Sequence, residues 1–119
     1  MQAPRPRALV VDDDPALRML IRVNLELEGF DVEEAATVHD ADASVRDQRP
    51  DVVLLDVHLG GVASHDLLDR LRSDGLPVAL VTGSVDVEEY RTSADAVVAK
   101  PFVPQELVEI ARRLARVGT

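Results

Sequence analysis

Cysteine and tryptophan are missing from this 119-residue chain, and lysine occurs once. The lack of cysteine removes disulfides and thiolate metal sites and suits a reducing cytoplasm. Aromatic residues are nearly as scarce. Phe30, Tyr90 and Phe102 are the only three, too few for a platform on which bases stack. No apolar run approaches the roughly 20 residues that cross a bilayer, so no membrane insertion is expected. Positive charge is also in short supply, with 13 basic residues against 22 acidic ones and a formal net charge of −9. That balance argues against direct nucleic-acid binding, which is driven by cationic contacts to phosphate. The opening Met1-Gln2-Ala3-Pro4-Arg5-Pro6-Arg7 has two arginines but no apolar stretch before the first strand. Residues 1–7 therefore read as a short loose leader rather than a signal peptide.

What is present is an alternation of short apolar runs and helical patterns. Leu9-Val10-Val11 reads as a first buried strand, and Asp14-Pro15 as the cap and first turn of a helix with Leu17, Leu20, Ile21, Val23, Leu25 and Leu27 inward, stopped by Gly29. Phe30 to Ala35 makes a weaker strand, and Thr37 to Arg49 a modestly amphipathic helix ended by Pro50. Asp51 to Asp56 is the third strand, His58 to Ala63 a glycine-containing loop, and Ser64 to Ser73 a helix with Leu67, Leu68 and Leu71 inward, closed by Asp74-Gly75. Pro77 to Thr82 is a fourth strand, followed by a short polar helix around Asp86 to Arg91, and Ala96 to Ala99 a fifth. Pro104 then opens a last helix with Leu107, Val108, Ile110, Ala111 and Leu114 at helical spacing. This (βα)5 pattern implies a doubly wound open parallel sheet with helices on both faces. No linker or repeat interrupts it, and residues 1–119 are expected to form one domain.

The chemistry sits where strands stop. Asp12-Asp13 follows the first strand, Asp56 ends the third, Thr82 ends the fourth and Lys100 follows the fifth. In a parallel sheet these ends share one edge, where α/β proteins bind ligands. Carboxylates brought together there repel, an arrangement that a cation or a reaction requires. Asp14, ahead of Pro15, reads as a helix cap only. His39, His58 and His65 share no metal-ligand spacing, so their side chains are expected to be solvated.

The motifs Val10-Val11-Asp12-Asp13-Asp14-Pro15, Asp51-Val52-Val53-Leu54-Leu55-Asp56, Val81-Thr82-Gly83 and Lys100-Pro101-Phe102, in this order and spacing, resemble the receiver domain of two-component response regulators, over nearly the whole chain. The resemblance implies a flavodoxin-like sheet of order 2-1-3-4-5, for which chemotaxis receivers are a known example. It also implies that Asp56 accepts a phosphoryl group from a histidine kinase or histidine phosphotransfer protein. In the same way Asp13 looks like a direct Mg²⁺ ligand, Asp12 a ligand through water, and the His58 backbone carbonyl a further ligand, with Asp56 completing the metal set. Lys100 and the Thr82 hydroxyl would each meet a phosphoryl oxygen, the latter drawing its loop inward as the switch. The bond after that lysine is typically cis in this family, and Pro101 permits it at low cost. The protein would then be a cytoplasmic phosphoacceptor that dephosphorylates slowly, passing its state to a downstream protein or a second copy of itself.

Three positions depart from the family pattern. Val97 stands where a switch aromatic is usual, so no ring can swing there. The segment from Thr82 to Lys100 is about one helical turn short, which predicts a stunted fourth helix. Gly60 and Ala63-Ser64 replace a common proline and a common Asp-Gly or Gly-Gly, so a looser loop is expected after Asp56. Two other function classes share these residues. One is an interaction module that is never phosphorylated. The other is a haloacid-dehalogenase-type phosphatase, whose first motif Asp12-x-Asp14 resembles, although Ala16 stands where its threonine or valine would follow.

Overall fold

The computed structural model of the protein describes residues 5–59, 62–83 and 94–117. Strand β1 (Arg7–Val11) starts inside the expected leader. Arg7 pairs in register with Asp31, and its amide donates to an Asp51 carboxylate oxygen at 2.8 Å, which recruits it into the sheet. Helix α1 (Pro15–Leu27) begins as expected, because the Asp14 carboxylate accepts from the amides of Ala16 and Leu17 at 3.0 and 3.4 Å. It ends at Gly29, whose φ of +95° would strain any residue with a side chain.

Only half of the apolar face expected for α1 is buried. Ile21 and Leu25 are inside and Leu17 packs beside them, whereas Leu20, Val23 and Leu27 are exposed, Leu27 by 80%. The reason is angular. At about 100° per residue, positions 17, 21 and 25 share one side and 20, 23 and 27 another, and a helix lying on a sheet buries a single stripe.

Strand β2 (Asp31–Ala35) leads to helix α2 (Val38–Asp47), whose cap is the Thr37 hydroxyl accepting from the Asp40 amide at 3.0 Å. This helix stops short of the expected Arg49. Gln48 is already extended, as the approach to Pro50 favours. Strand β3 (Val52–Asp56) is buried along its length. The expected loop that follows contains a small antiparallel pair instead, β4 (His58–Leu59) with β5 (Val62–Ala63), in which His58 faces Ala63 and Leu59 faces Val62. A two-residue Gly-Gly spacer between apolar positions is a hairpin signal that the loop reading passed over. Helix α3 (His65–Ser73), strand β6 (Val78–Gly83), strand β7 (Ala96–Lys100) and helix α4 (Pro104–Val117) complete the described chain. The short helix expected at Asp86 to Arg91 lies outside the described residues.

The five long strands form one parallel sheet in the order β2-β1-β3-β6-β7, which is the expected 2-1-3-4-5 once the small hairpin is set aside. Strand side chains alternate between its faces. Val10, Leu54 and Val81 meet Ile21 and Leu25 of α1 and Leu107 and Ala111 of α4 on one side. Leu9, Val53, Leu55 and Leu80 meet Ala41 of α2 and Leu67 and Leu71 of α3 on the other. Two cores thus clamp the strands and fix where their carboxyl ends fall. Among the described residues no helix is long and apolar enough to cross a membrane.

Candidate functional site

The sheet register brings the acid-ended strands together. Val11 of β1 is level with Leu55 of β3, so Asp12 and Asp56 each follow as the next residue on neighbouring strands. Carboxylate oxygens of Asp12, Asp13 and Asp56 all lie within 4.8 Å of one another. Asp12 and Asp56 are buried and Asp13 is exposed. From β7, two strands away, the Lys100 ammonium reaches 3.5 Å from an Asp56 oxygen and 3.9 Å from an Asp12 oxygen. Thr82, 1% exposed, lies one residue beyond Val81, the register partner of Asp56. The peptide between Lys100 and Pro101 is cis.

Electrostatics set the character of this crevice. Burial raises the Asp12 carboxyl above its ordinary range, with the Asp56 and Asp13 charges pushing the same way, while the Asp14 amide, donating to Asp12 at 2.9 Å, and Lys100 pull it back. Burial raises Asp56 as well, against Lys100 and the His58 amide, which donates to an Asp56 oxygen at 3.3 Å. Two reluctantly ionised carboxylates beside a third acid are a poor resting arrangement without a cation. The donor set offers hard oxygens alone, the chemistry that Mg²⁺ or Ca²⁺ prefers over softer metals. Among the described residues these three acids are the one group that could hold a metal ion. His39, His58 and His65 are exposed residues.

Asp14 stays out of the cluster, since its carboxylate caps α1. The pair Asp12-x-Asp14 therefore does not converge as a phosphatase motif would. Four supporting residues were passed over in the sequence. The Arg18 guanidinium donates to the Asp12 main-chain carbonyl at 2.8 Å and to Glu34 at 3.0 Å, and Arg22 holds the other Glu34 oxygen. This network ties α1 and β2 to the loop that carries Asp12. Ser64, buried ahead of α3, reaches the main chain of Asp56 and Val57. The one sequence signal for the arginine pair was its i, i+4 spacing on α1; nothing in sequence marked the partner on β2. In the described part of the loop after Asp56, β4 pairs with β5 and Ser64 reaches the main chain.

Comparison with known proteins agrees with this geometry. The family model for the response regulator receiver domain matches residues 8–112. The DNA-binding response regulator MtrA of Mycolicibacterium smegmatis is 40% identical over 121 residues, covering 98% of this chain and 53% of that protein. The probable transcriptional regulatory protein TcrX of Mycobacterium tuberculosis is 41% identical over 114 residues, covering 91% and 49%. The chain thus spans about half the length of the curated relatives it matches. Among solved structures, the receiver domain of NtrX from Brucella abortus superposes with a TM-score of 0.85 at 30% identity, covering 92% of this chain and 98% of that one. A CheY-like receiver protein from Methanospirillum hungatei gives 0.85 at 28% identity, with 97% of each chain covered. Sheet order, crevice and sequence converge on one assignment: the chain belongs to the response regulator receiver domains of two-component signal transduction.

Proposed function

We propose that this chain takes a phosphoryl group onto Asp56 in a Mg²⁺-dependent reaction and acts as a switch rather than as an enzyme of multiple turnover. The observation that carries this reading is the placement of Asp56. It is buried, raised in pKa, within 4.8 Å of two further carboxylates and 3.5 Å from an ammonium. A poorly solvated carboxylate kept ionised by a neighbouring cation is a competent nucleophile. Its oxygen forms the bond to phosphorus as the bond from phosphorus to the donor imidazole nitrogen breaks, the electron pair leaving with the imidazole. Asp13, Asp56, the His58 carbonyl and, through water, Asp12 would hold Mg²⁺, which would supply positive charge against the negative charge of the phosphoryl group. Lys100 offsets a second oxygen, and the Thr82 hydroxyl donates to a third. Hydrolysis of the acyl phosphate by water resets the site slowly.

In this reading the phosphodonor is a histidine kinase or phosphotransfer protein in the cytoplasm, and residues 1–119 act as one receiver unit. The matched relatives are named DNA-binding or transcriptional regulators, and this chain corresponds to about half of each. The charge argument against nucleic acid therefore concerns these residues alone, and output passes to a protein target, to further chain or to a second copy. Val97, partly buried against the α2 and α3 core, supports an output that uses no aromatic rotamer. The same residue favours the second reading, an interaction module that is never phosphorylated. Intact mass after incubation with Mg²⁺ and acetyl phosphate separates the two. A single hydrolysable phosphoryl adduct, absent from Asp56→Asn, is expected; an adduct on neither protein supports the interaction module, and one on both refutes Asp56 as the acceptor.

A further inference from the structure

Ser64 stands immediately before α3, where a serine ordinarily caps the helix by accepting from a first-turn amide. It makes no such bond. Its hydroxyl instead lies 2.8 Å from the carbonyl oxygen of Asp56 and 2.8 Å from that of Val57, and its amide donates to the Val57 carbonyl at 2.9 Å. The side chain is 3% exposed, so these contacts form out of reach of bulk water. A hydroxyl carries one hydrogen and donates to one carbonyl at a time, holding both within its reach.

What those carbonyls belong to gives the contact its meaning. A peptide unit is planar, with its C=O and N–H pointing in opposite directions. Holding the Val57 carbonyl toward Ser64 therefore turns the His58 N–H the other way, where it donates to an Asp56 carboxylate oxygen at 3.3 Å. Holding the Asp56 carbonyl likewise turns the Val57 N–H toward the Val81 carbonyl, 3.3 Å away on β6. Two consecutive peptide planes are thus gripped from one side by Ser64 and from the other by the crevice and its neighbouring strand. A glycine at this position would have no hydroxyl with which to do this.

We propose that Ser64 is a positioning residue of the phosphoacceptor site, setting through these two peptide planes the direction of the Asp56 carboxylate and of the His58 main chain. The proposal rests on the reading of Asp56 as phosphoacceptor and adds to it a residue that touches neither metal nor phosphoryl group. The helix forgoes its side-chain cap, and the crevice gains a fixed rim.

The test compares wild type with S64A, S64G and S64T, measuring the Mg²⁺ concentration for half-saturation by titration calorimetry and the rate of phosphoryl uptake from acetyl phosphate by intact mass. Loss of one buried hydrogen bond at the rim is expected to slow uptake about fivefold and to raise the Mg²⁺ midpoint roughly threefold in S64A and S64G. S64T keeps the hydroxyl and is expected within about twofold of wild type. Measurements well below each melting temperature keep the folded fraction near one, so that partial unfolding, which by itself would raise the apparent Mg²⁺ midpoint, does not contribute. Should S64A not fold, S64G against S64T decides the matter. Unchanged rates and midpoints in S64A and S64G, or S64T as impaired as S64G, overturn the proposal. If wild type takes up no phosphoryl group, the phosphoacceptor reading fails while the Mg²⁺ titrations still judge Ser64.

Discussion

Replacing Asp12 by asparagine is expected to stabilise the protein when no divalent cation is present. Asp12 is 2% exposed and lies within 4.8 Å of two other carboxylates, with one ammonium 3.9 Å away. At an effective dielectric of about 20, each repulsion is worth roughly 3.5 kcal/mol and the attraction about 4.3 kcal/mol. The difference leaves a net penalty of about 2–3 kcal/mol, which screening at exposed Asp13 and partly exposed Lys100 reduces to about 1–2 kcal/mol. Asparagine removes the charge yet can still accept the Asp14 amide, which donates to Asp12 at 2.9 Å. In a domain of this size the gain corresponds to roughly 4–8 °C in melting temperature. Circular dichroism melts in EDTA at pH 7 measure it. A variant that melts at or below wild type would refute the claim that the crevice is strained by its own charges.

Asp12 and Asp56 have raised pKa values, so the folded state holds their protons more tightly than the unfolded chain does. Their penalty is full above the raised values and is relieved as pH falls through them toward the unfolded value of about 3.9. Metal-free wild type should therefore gain stability on mild acidification, and Asp12→Asn should gain less. Adding Mg²⁺ should reverse the order at pH 7, since a ligand at 100 times its Kd contributes about 2.7 kcal/mol to a site that holds it.

Lys100→Gln should move metal-free stability the opposite way, down by about 1 kcal/mol, because it strips the crevice of its cation; a rise in melting temperature would contradict the ion-pair geometry. Leu25→Ala on α1 should cost about 2–4 kcal/mol in urea unfolding and Leu27→Ala less than about 0.5 kcal/mol, and equal costs would show that α1 buries a wider face than 17, 21 and 25. Arg18→Ala should cost about 1–2 kcal/mol by the same assay through its bonds to the Asp12 carbonyl and Glu34, with Arg18→Lys recovering only part, as lysine cannot fork between them.

The sheet was legible because its strands announce themselves twice, as short apolar runs and by the acid, threonine or lysine that ends them. Period-two burial on both faces leaves little else for Val52-Val53-Leu54-Leu55 to be. Helix starts were legible where a side chain does the capping, as at Asp14 and Thr37. Apolar content alone misled on α1, because hydrophobic residues at 20, 23 and 27 carry no mark that separates a core stripe from an exposed one. The small hairpin after β3 was missed for its brevity, with two residues on each side. Site residues supplied by strand ends were readable in order along the chain. Arg18, Glu34 and Ser64 were not, since each acts on a main-chain atom or on a partner that only the fold brings near.

The span between Lys100 and Asp56 is 44 residues, and the same span separates Asp56 from Asp12. The three charges meet only when β1, β3 and β7 are aligned in one sheet. A chain still emerging during synthesis, with β1 and β3 made and β7 not yet present, would hold carboxylates without their ammonium. The charge balance of the crevice is in that sense complete only once β7 has joined the sheet, 44 residues along the chain from Asp56. A copy in which β7 has not joined the sheet would therefore lack the ammonium that faces Asp12 and Asp56.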